Sequence, residues 1–363
     1  MTIRQISLND FRNLKSSTLD LHDQINIITG LNASGKTSFL EAIHIICKGR
    51  SFKTHKLNNC IQHNKNNFLL FALFDNYKAG FSKTNSETII RINNETISKV
   101  SELAKKTPVR VINSDSFNLI LGSPGIRREF IDWCLFHVEH NYLSLSLEYK
   151  HVLKQRNALL KTKRNLSQLD YWDQHLTRLV MEIFELRSAY IQKLIVIFGK
   201  SFSEELGSST VDIFYEPGWD SSTPFNKILE NQRINDIKYG FTRYGSHRDD
   251  IKILSNGLPV NNVFSRGQIK KLSILLILSQ IHLITEIDKN KIVLLIDDLN
   301  SELDSISVNF ILNKISSLNL QVFITNIEQI FEFYTEEEYK LFHVEHGMIK
   351  AVKHIREHNV TRI

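Results

Sequence analysis

The sequence predicts an α/β fold: a parallel sheet covered by helices, with an antiparallel helical arm inserted into it. Residues 292–296 read Ile-Val-Leu-Leu-Ile, and residues 321–324 form a similar apolar segment, which is typical of parallel strands buried on both faces. A glycine-rich loop at residues 30–37 lies between a strand pattern and a helix pattern. Residues 172–197 carry a helical apolar stripe without strand signals, which predicts the arm.

Length and composition limit the class of protein. The 363 residues suffice for two lobes, or for one large domain with an insertion. Apolar residues make up 42% and charged residues 23%, with 14 glycines and 5 prolines, which excludes a disordered or collagen-like chain. The sequence has no apolar run of about 18 residues and no signal-peptide core, and its three cysteines lack disulfide-framework or metal-ligand spacing. We therefore expect a cytoplasmic protein without a membrane segment, whose net charge of +6 permits a polyanionic partner without requiring one.

The N-terminal part reads as short strands around one helix. Three strands precede the glycine-rich loop, and the apolar stripe after it predicts a helix at residues 37–47 that ends at Gly49. The last two strands are joined as a hairpin across Asn93 and Asn94. The predicted strands are residues 3–8, 17–21, 25–29, 68–74, 79–83, 88–92 and 95–100.

Helical signals replace strand signals after Pro124. The stripe of the long helix advances by three or four residues at each step, as in a coiled-coil seam. A second helix at residues 143–160 precedes it, with a bend at residues 165–168. An ordinary helical subdomain explains this pattern as well as an arm does. The stripe consists of Trp172, Leu176, Leu179, Ile183, Leu186, Tyr190, Leu194 and Ile197.

The C-terminal part returns to alternating strands and helices. A strand is expected near residues 211–215, and Asn256 and Gly257 indicate the turn of a hairpin. An apolar helix at residues 270–287 precedes the two buried strands. These changes divide the chain into an α/β part at 1–124, the helical arm at 125–210 and a second α/β part at 211–363, with each boundary placed to within about 15 residues.

The glycine-rich loop has the sequence of a P-loop. It reads Gly-Leu-Asn-Ala-Ser-Gly-Lys-Thr, and its glycines let backbone N–H groups turn toward phosphates at a helix N-terminus. Lys36 is expected to reach the β- and γ-phosphates as a catalytic residue, and the Thr37 hydroxyl to bind Mg²⁺. Nucleotide contacts are expected from Gly30, Asn32, Ser34, Gly35, Lys36, Thr37 and Ser38.

A carboxylate pair follows the buried strand at residues 292–296. Because ligands collect at the carboxyl ends of parallel strands, Asp297 is expected to hold Mg²⁺ through water. Asp298 is expected to polarise the attacking water as a second catalytic residue. A helix cap or a turn is the alternative role for Asp298.

A second polar segment precedes the helix at residues 270–287. Its Ser265, Arg266, Gly267 and Gln268 combine a hydroxyl, exposed N–H groups and a helix dipole, which together suit an anion. Plain helix capping explains these four residues equally well. Another polar turn, Ser-Glu-Leu-Asp at residues 301–304, follows the carboxylate pair.

The order of these four motifs resembles that of ABC-type ATPases. Lys36 and Ser265 are 229 residues apart, which is similar to the SMC-like branch, whose helical arm fills this gap. More narrowly, the chain resembles the RecF family of bacterial recombination mediators from end to end. The matching stretches are residues 9–13, 40–43, 49–52, 122–128, 130–133, 153–160, 245–250, 294–298 and 301–304.

The resemblance implies an ABC-type ATPase head that binds ATP and Mg²⁺. It implies a homodimer in which each P-loop faces the partner's segment 265–268, here called the signature, with Ser301 and Asp304 in the D-loop. It further implies a clamp on double-stranded DNA next to single-strand gaps, weak DNA-stimulated ATP hydrolysis, and the partners RecR and RecO in recombinase loading, replication restart and the SOS response. An SMC-like ATPase with a nuclease partner, a transporter ATPase subunit and a non-hydrolysing scaffold are the alternatives.

The chain departs from the family pattern at three places. Ala33 stands where the family usually has glycine, so a positive φ there strains the loop by roughly 1 kcal/mol. Ser246 replaces a more common proline or alanine. Thr325 and Asn326 occupy the place of the switch histidine of many ABC ATPases, and no Q-loop glutamine is evident.

Two basic clusters are candidates for DNA contact. Arg50, Lys53 and Lys56 follow the P-loop helix, and the family resemblance favours phosphate contact there. Lys154, Arg156, Lys161, Lys163 and Arg164 lie in a stretch without acids, for which a solvated helix face is an equal alternative.

Histidines suggest chemistry less strongly. The sequence Leu-Phe-His-Val-Glu-His occurs at residues 135–140 and 341–346, and a metal site there is disfavoured because the second copy reads as a strand. For His247, a structural hydrogen-bond network is favoured over catalysis.

Overall fold

A computed structural model describes residues 1–201, 210–287, 292–298, 303–325 and 338–352. These residues belong to two units, the first formed by residues 1–116 and 288–363, and the second by residues 117–287. Within the described ranges, no helix is both long and apolar enough to cross a membrane.

The secondary structure follows the predicted order closely. The strands of the described residues are β1 (Ile3–Asn9), β2 (Ser17–Asp20), β3 (Ile25–Thr29), β4 (Asn67–Phe74), β5 (Lys78–Thr84), β6 (Thr88–Ile92), β7 (Glu95–Ile97), β8 (Val109–Ile112), β9 (Asp212–Glu216), β10 (Asp250–Ser255), β11 (Leu258–Pro259), β12 (Ile292–Ile296), β13 (Leu320–Thr325), β14 (Tyr339–Glu345) and β15 (Met348–Val352). The helices are α1 (Lys36–Lys48), α2 (Val100–Lys106), α3 (Asn118–Leu121), α4 (Pro124–Val138), α5 (Tyr142–Thr162), α6 (Leu169–Ser201), α7 (Phe225–Tyr239), α8 (Val260–Val263), α9 (Arg266–Ile287) and α10 (Ser305–Ser316).

The first unit contains two sheets. One is antiparallel with the order β2-β1-β4-β5-β6-β7, and β4 alternates buried with more exposed residues because only one of its faces is packed. The other has the order β15-β14-β3-β13-β12-β8, in which β15 pairs antiparallel at the edge and the remaining pairs are parallel. Every residue of β12 is buried, as its continuous apolar sequence predicts.

Helix α1 is fixed by apolar packing against both sheets. It contacts β4 and β5 of the antiparallel sheet and β8 and β13 of the parallel sheet. Phe39 packs against Phe323 and Phe342, with ring centroids 6.5 and 6.2 Å away. The loop before α1 is therefore held between the carboxyl end of β3 and a helix that is buried over most of its length.

The second unit is built around α5 and α6. These helices pack on each other and are joined by a turn at residues 163–168, which confirms the predicted helix pair. Leu176, Leu179 and Ile183 of the predicted stripe are buried in the core of this unit. Helix α9 packs on α4 and α6, and β9, β10 and β11 form a small antiparallel sheet.

Residues 211–287 lie in the second unit, whereas the sequence analysis placed them with the α/β part at 211–363. The reason is packing: β10 contacts α4, β9 contacts α6, and Arg127 of α4 binds both carboxylate oxygens of Asp250 at 2.6 and 3.0 Å. The first boundary falls after Ser116, within the range expected around residue 124. The signature therefore belongs to the second unit.

Two local elements also differ from expectation. The strand expected at residues 95–100 ends at Ile97, and Val100 begins α2. Residues 225–239 form α7, which the sequence patterns did not indicate because few apolar residues mark its packed face. Phe225 and Leu229 nevertheless bury that face in the core of the second unit.

Candidate nucleotide site

The P-loop turns from β3 into α1 through two glycines with positive φ. Gly30 has φ 143° and Gly35, the residue before the helix, has φ 124°. A Cβ at Gly30 would lie 2.3 Å from the carbonyl oxygen of Val344, so this position also has no room for a side chain. Glycine is thus required at both ends of the loop.

Ala33, which stands where the family usually has glycine, adopts a left-handed backbone conformation. Its φ is 64°, which costs a residue with a Cβ about 1 kcal/mol or more. The Asn13 side chain supports this strained residue by donating a hydrogen bond to the Ala33 carbonyl oxygen at 3.2 Å. Asn13 also accepts a hydrogen bond from the Ser38 hydroxyl at 2.9 Å, so it joins the loop to the first turn of α1.

Lys36 is largely buried and its ammonium group is held by its own loop. Its Nζ donates hydrogen bonds to the carbonyl oxygens of Gly30 and Leu31 at 2.7 and 2.8 Å. Burial lowers the pKa of Lys36, while the nearby carboxylates of Asp298 and Asp297 oppose that shift. The ammonium group is therefore positioned at the loop and only partly solvated.

The carboxyl end of β12 brings Asp297 next to the P-loop. Asp297 Oδ1 accepts hydrogen bonds from the hydroxyls of Thr37 and Thr325, each at 3.1 Å. Thr325 ends the neighbouring strand β13, and its hydroxyl also accepts a hydrogen bond from the Asp298 backbone N–H at 2.8 Å. Asp298 is exposed and has φ 58°, so the chain turns sharply directly after Asp297.

A cavity of about 580 Å³ joins these groups. It includes Asn113, Ser114 and Asp115, which sequence reasoning missed. These residues follow β8, the parallel neighbour of β12, so a polar turn after an apolar strand was the available signal. The lining residues are Asn13, Asn32, Ala33, Gly35, Lys36, Thr37, Ser38, Phe52, Lys53, Asn113, Ser114, Asp115, Asp297 and Asp298.

The polar groups of this cavity fit a nucleoside triphosphate with Mg²⁺. Thr37 and Asp297 supply a hydroxyl and a carboxylate, the oxygen ligands that Mg²⁺ prefers, and they already lie within hydrogen-bond distance of each other. The Ser34 hydroxyl is buried without a hydrogen-bond partner among the described residues. Thr37 and Asp297 would hold a bound Mg²⁺, which would supply positive charge to offset that of the phosphates.

Comparison with known proteins identifies the family. The model of the RecF/RecN/SMC N terminal domain matches residues 2–350. The chain is 37% identical to the DNA replication and repair protein RecF of Shewanella halifaxensis (strain HAW-EB4) and 36% identical to that of Shewanella woodyi (strain ATCC 51908 / MS32). Each alignment covers 97% of this chain and 98% of the relative. The chain belongs to the RecF family.

Solved structures agree with this assignment. A structure of the recombination mediator protein RecF with ATP in the RecFOR pathway matches with a TM-score of 0.85 at 27% identity, covering 97% of each chain. An Smc head bound to a domain of ScpA matches with a TM-score of 0.61 at 14% identity, which shows a shared fold alone. The expected fold class, an SMC-like ABC-type head with an inserted helical part, is confirmed.

In this RecF-family chain the signature forms a capping box at the start of α9. The Ser265 hydroxyl accepts a hydrogen bond from the Gln268 backbone N–H at 3.3 Å, and Gln268 Oε1 accepts one from the Ser265 N–H at 2.8 Å. Ser265, Arg266, Gly267 and Gln268 are all exposed. The capping role is thus real, and it leaves the segment accessible.

The D-loop is described in part. Ser301 lies outside the described residues. Asp304 caps α10, where its Oδ1 accepts a hydrogen bond from the Ser307 backbone N–H at 2.8 Å.

The basic clusters separate in the structure. Arg50, Lys53 and Lys56 are exposed, and Lys53 also lines the nucleotide cavity. In the second cluster, Arg156 is fully buried and binds Asp173 and Asp236 at 2.6 and 2.8 Å. Arg156 is therefore removed from the set of DNA-contact candidates, whereas Lys154, Lys161, Lys163 and Arg164 are exposed.

The histidines have structural environments. The Tyr149 hydroxyl and His247 Nδ1 form a hydrogen bond of 2.7 Å, and His247 Nε2 lies 3.0 Å from the Thr242 carbonyl oxygen. These contacts agree with the structural role that the sequence analysis favoured. Burial lowers the pKa of His247 to about 4. The second Leu-Phe-His-Val-Glu-His copy lies on β14, and no group of three or more metal-ligating residues occurs among the described ranges.

Proposed function

We propose that this protein is an ATP-dependent DNA-binding ATPase of recombinational gap repair. The observation that carries the proposal is the junction of Lys36, Thr37 and Asp297 at one cavity, in a chain that matches RecF proteins over nearly its whole length. Such a site binds the phosphates of ATP and Mg²⁺. We place the protein in the cytoplasm, where its DNA substrate is found.

The residues of the site have distinct roles in this proposal. The backbone N–H groups of the P-loop, with Asn32, Ser34, Gly35 and Ser38, surround the phosphates, and Lys36 exchanges its two carbonyl contacts for phosphate oxygens. Thr37 and Asp297 hold Mg²⁺. Asp298, exposed beside the cavity, orients the attacking water, and because its carboxylate is short, hydrolysis is slow.

ATP binding then assembles a homodimer. The exposed signature of one copy, Ser265 to Gln268, approaches the γ-phosphate held by the P-loop of the other copy, with Ser301 and Asp304 nearby. A ligand that contacts both copies couples dimer affinity to nucleotide state, because ADP lacks the atoms that the signature reaches. Hydrolysis therefore opens the dimer.

The closed dimer clamps duplex DNA next to single-strand gaps. Arg50, Lys53 and Lys56 are exposed cations that can bind backbone phosphates. A solved RecF relative is described as part of the RecFOR pathway, and by this likeness RecR and RecO are the partners in loading recombinase. DNA stimulation of a weak ATPase follows if DNA favours the closed dimer.

Sedimentation of the pure protein tests the proposal. The protein is measured without nucleotide, with ADP and with ATP, each with and without gapped duplex DNA. A dimer that forms with ATP and not with ADP, and that retains DNA uncut, supports the clamp. DNA cleavage would favour an SMC-like ATPase with a nuclease function. A monomer in all conditions that still binds ATP would refute the dimer, and absence of turnover would favour a scaffold.

Ser265→Arg tests the signature separately. The side chain is exposed, so we expect the variant to fold and to bind ATP as a monomer while failing to dimerise. A variant that still forms the ATP-dependent dimer would refute the contact between the signature and the partner's nucleotide.

A further inference from the structure

One end of the second unit carries exposed cations and aromatic rings together. We call these residues the tip patch. They come from the C-terminal end of α5 and from the end of α7 with the loop that follows it. The tip patch consists of the exposed Lys161, Lys163, Tyr239, Phe241 and Arg248, together with the half-buried Arg243.

The two segments meet at Gly240. This residue ends α7 with φ 79°, and a Cβ placed on it would lie 3.5 Å from the Cα of Lys161. The positive φ requires glycine, and the close contact brings the loop after α7 directly against the end of α5. Cations that are far apart in sequence thereby share one surface.

Buried polar contacts hold the loop in place. The Asn157 side chain accepts hydrogen bonds from the N–H and the hydroxyl of Thr242 at 2.8 and 2.7 Å. The buried Arg156 donates a further hydrogen bond to the Thr242 hydroxyl at 2.8 Å, and His247 is fixed by Tyr149. The exposed side chains therefore project from a well-anchored backbone, which limits the entropy lost when they bind a ligand.

The charge of the tip patch is positive throughout. The sequence has no acidic residue between Tyr149 and Leu169, or between Ile237 and Arg248. The acids that flank these stretches are paired or buried. Glu148 and Asp170 are exposed and bind Arg178 and Arg233, each at 2.5 Å. Asp236 is 1% exposed and binds Arg156, and Asp249 is fully buried. The surface thus attracts an anionic partner.

The aromatic rings point to the kind of anion. Tyr239 is 55% exposed and Phe241 is 40% exposed, and their centroids are 6.3 Å apart. Arg243 lies over the Tyr239 ring at 5.4 Å, and Arg248 lies over the Phe241 ring at 5.8 Å. Phosphates alone require cations, whereas exposed rings with guanidinium groups also stack on bases. In a duplex the base faces are covered, so only unpaired bases can use these rings.

We propose that the tip patch binds single-stranded DNA, with its cations on phosphates and with Tyr239 and Phe241 stacked on unpaired bases. The inference rests on the proposed role at gaps, where duplex and single strand adjoin. It assigns the single strand to the second unit and leaves duplex contact to the cations after α1.

Ring replacement tests the inference in the full-length protein. The variant Tyr239→Leu with Phe241→Leu retains apolar bulk and removes the rings, and Phe214→Leu is the matched control because Phe214 is 52% exposed on β9 of the same unit. Binding of labelled oligothymidylate and of a blunt duplex is measured by fluorescence anisotropy without nucleotide. Each stacked base that is lost weakens oligothymidylate binding roughly fivefold to 150-fold, and we expect duplex affinity and the control variant to be unchanged.

A second variant tests the phosphate contacts. Lys161→Gln is expected to weaken oligothymidylate binding and to reduce the slope of log affinity against log salt by about 0.7. Crosslinking of the unaltered protein to an iododeoxyuridine oligonucleotide, located by mass spectrometry, is independent of variant folding. We expect the crosslink on the peptide that contains Tyr239 and Phe241.

Several outcomes would overturn the inference. Unchanged oligothymidylate binding by the double variant, equal losses on duplex and single strand, or a crosslink elsewhere would each do so. Polyglutamate serves as an acidic probe in the same anisotropy assay. If the double variant lost polyglutamate binding while its DNA binding stayed unchanged, the tip patch would instead be a surface for an acidic protein. Failure of ATP-dependent dimerisation would refute the clamp. It would not affect the test of the tip patch, because ring-dependent binding is measured without nucleotide.

Discussion

Replacing Gly267 with alanine separates the two roles of the segment that opens α9. A Cβ at Gly267 meets no atom within 4 Å, and its φ is not in the left-handed region. The methyl group is therefore tolerated in the isolated chain. Since alanine is favoured over glycine in a helix by about 0.8–1.0 kcal/mol, and by less in the first turn, stability should be unchanged or slightly raised.

The same methyl group should oppose the dimer. In the proposed dimer, backbone N–H groups of the signature approach the γ-phosphate bound by the partner. A methyl group at position 267 would keep that phosphate away from them. A hydrogen bond to a charged group contributes about 1.5–3 kcal/mol, and a two-fold dimer has two such sites. The dimer dissociation constant should therefore rise roughly 140-fold to 20,000-fold.

Sedimentation with ATP and thermal melting measure the two effects together. Gly199→Ala is the control, because Gly199 is also helical, lies in the same unit, and a Cβ placed on it would meet no atom within 4 Å. We expect both variants to melt at or slightly above the parent temperature and only Gly267→Ala to lose the dimer. An ATP-dependent dimer of unaltered affinity in Gly267→Ala would refute the reasoning, as would a large loss of thermal stability.

Further predictions concern the nucleotide, a buried ion pair and pH. Lys36→Ala should abolish ATP binding measured by calorimetry, and normal affinity would refute the site assignment. Arg156→Met should lower the free energy of unfolding by about 3–5 kcal/mol because it removes the ion-pair partner of the buried Asp236, whereas Asp173 keeps its pair with Arg233 at 2.7 Å. The exposed pair of Arg178 provides the control, and Arg178→Met should cost at most about 1 kcal/mol. Burial lowers the pKa of His44 to about 3 and that of His247 to about 4, so both are neutral when folded. The unfolded chain takes up protons below about pH 6.5, so melting temperature should fall between pH 6.5 and 4; a flat profile would contradict these environments.

Local patterns sufficed for much of the fold and for the core of the site. The P-loop is a contiguous segment between β3 and α1, and its chemistry follows from residues that are neighbours in sequence. Asp297 was equally accessible to sequence reasoning, because an acidic residue directly after an apolar strand lies at the carboxyl edge of a parallel sheet. The long helix followed from its apolar stripe.

Other features depend on contacts between segments distant in sequence. Asn113 to Asp115 join the cavity only because β8 pairs with β12, and Arg156 is buried only because Asp173 and Asp236 converge on it from α6 and α7. The tip patch exists because Gly240 packs on Lys161. Periodicity and backbone conformation act locally, so sequence patterns predict which segments form strands, helices and the phosphate loop. Tertiary structure alone decided which charges are buried and which share a surface, because burial and charge pairing depend on the packing of whole elements.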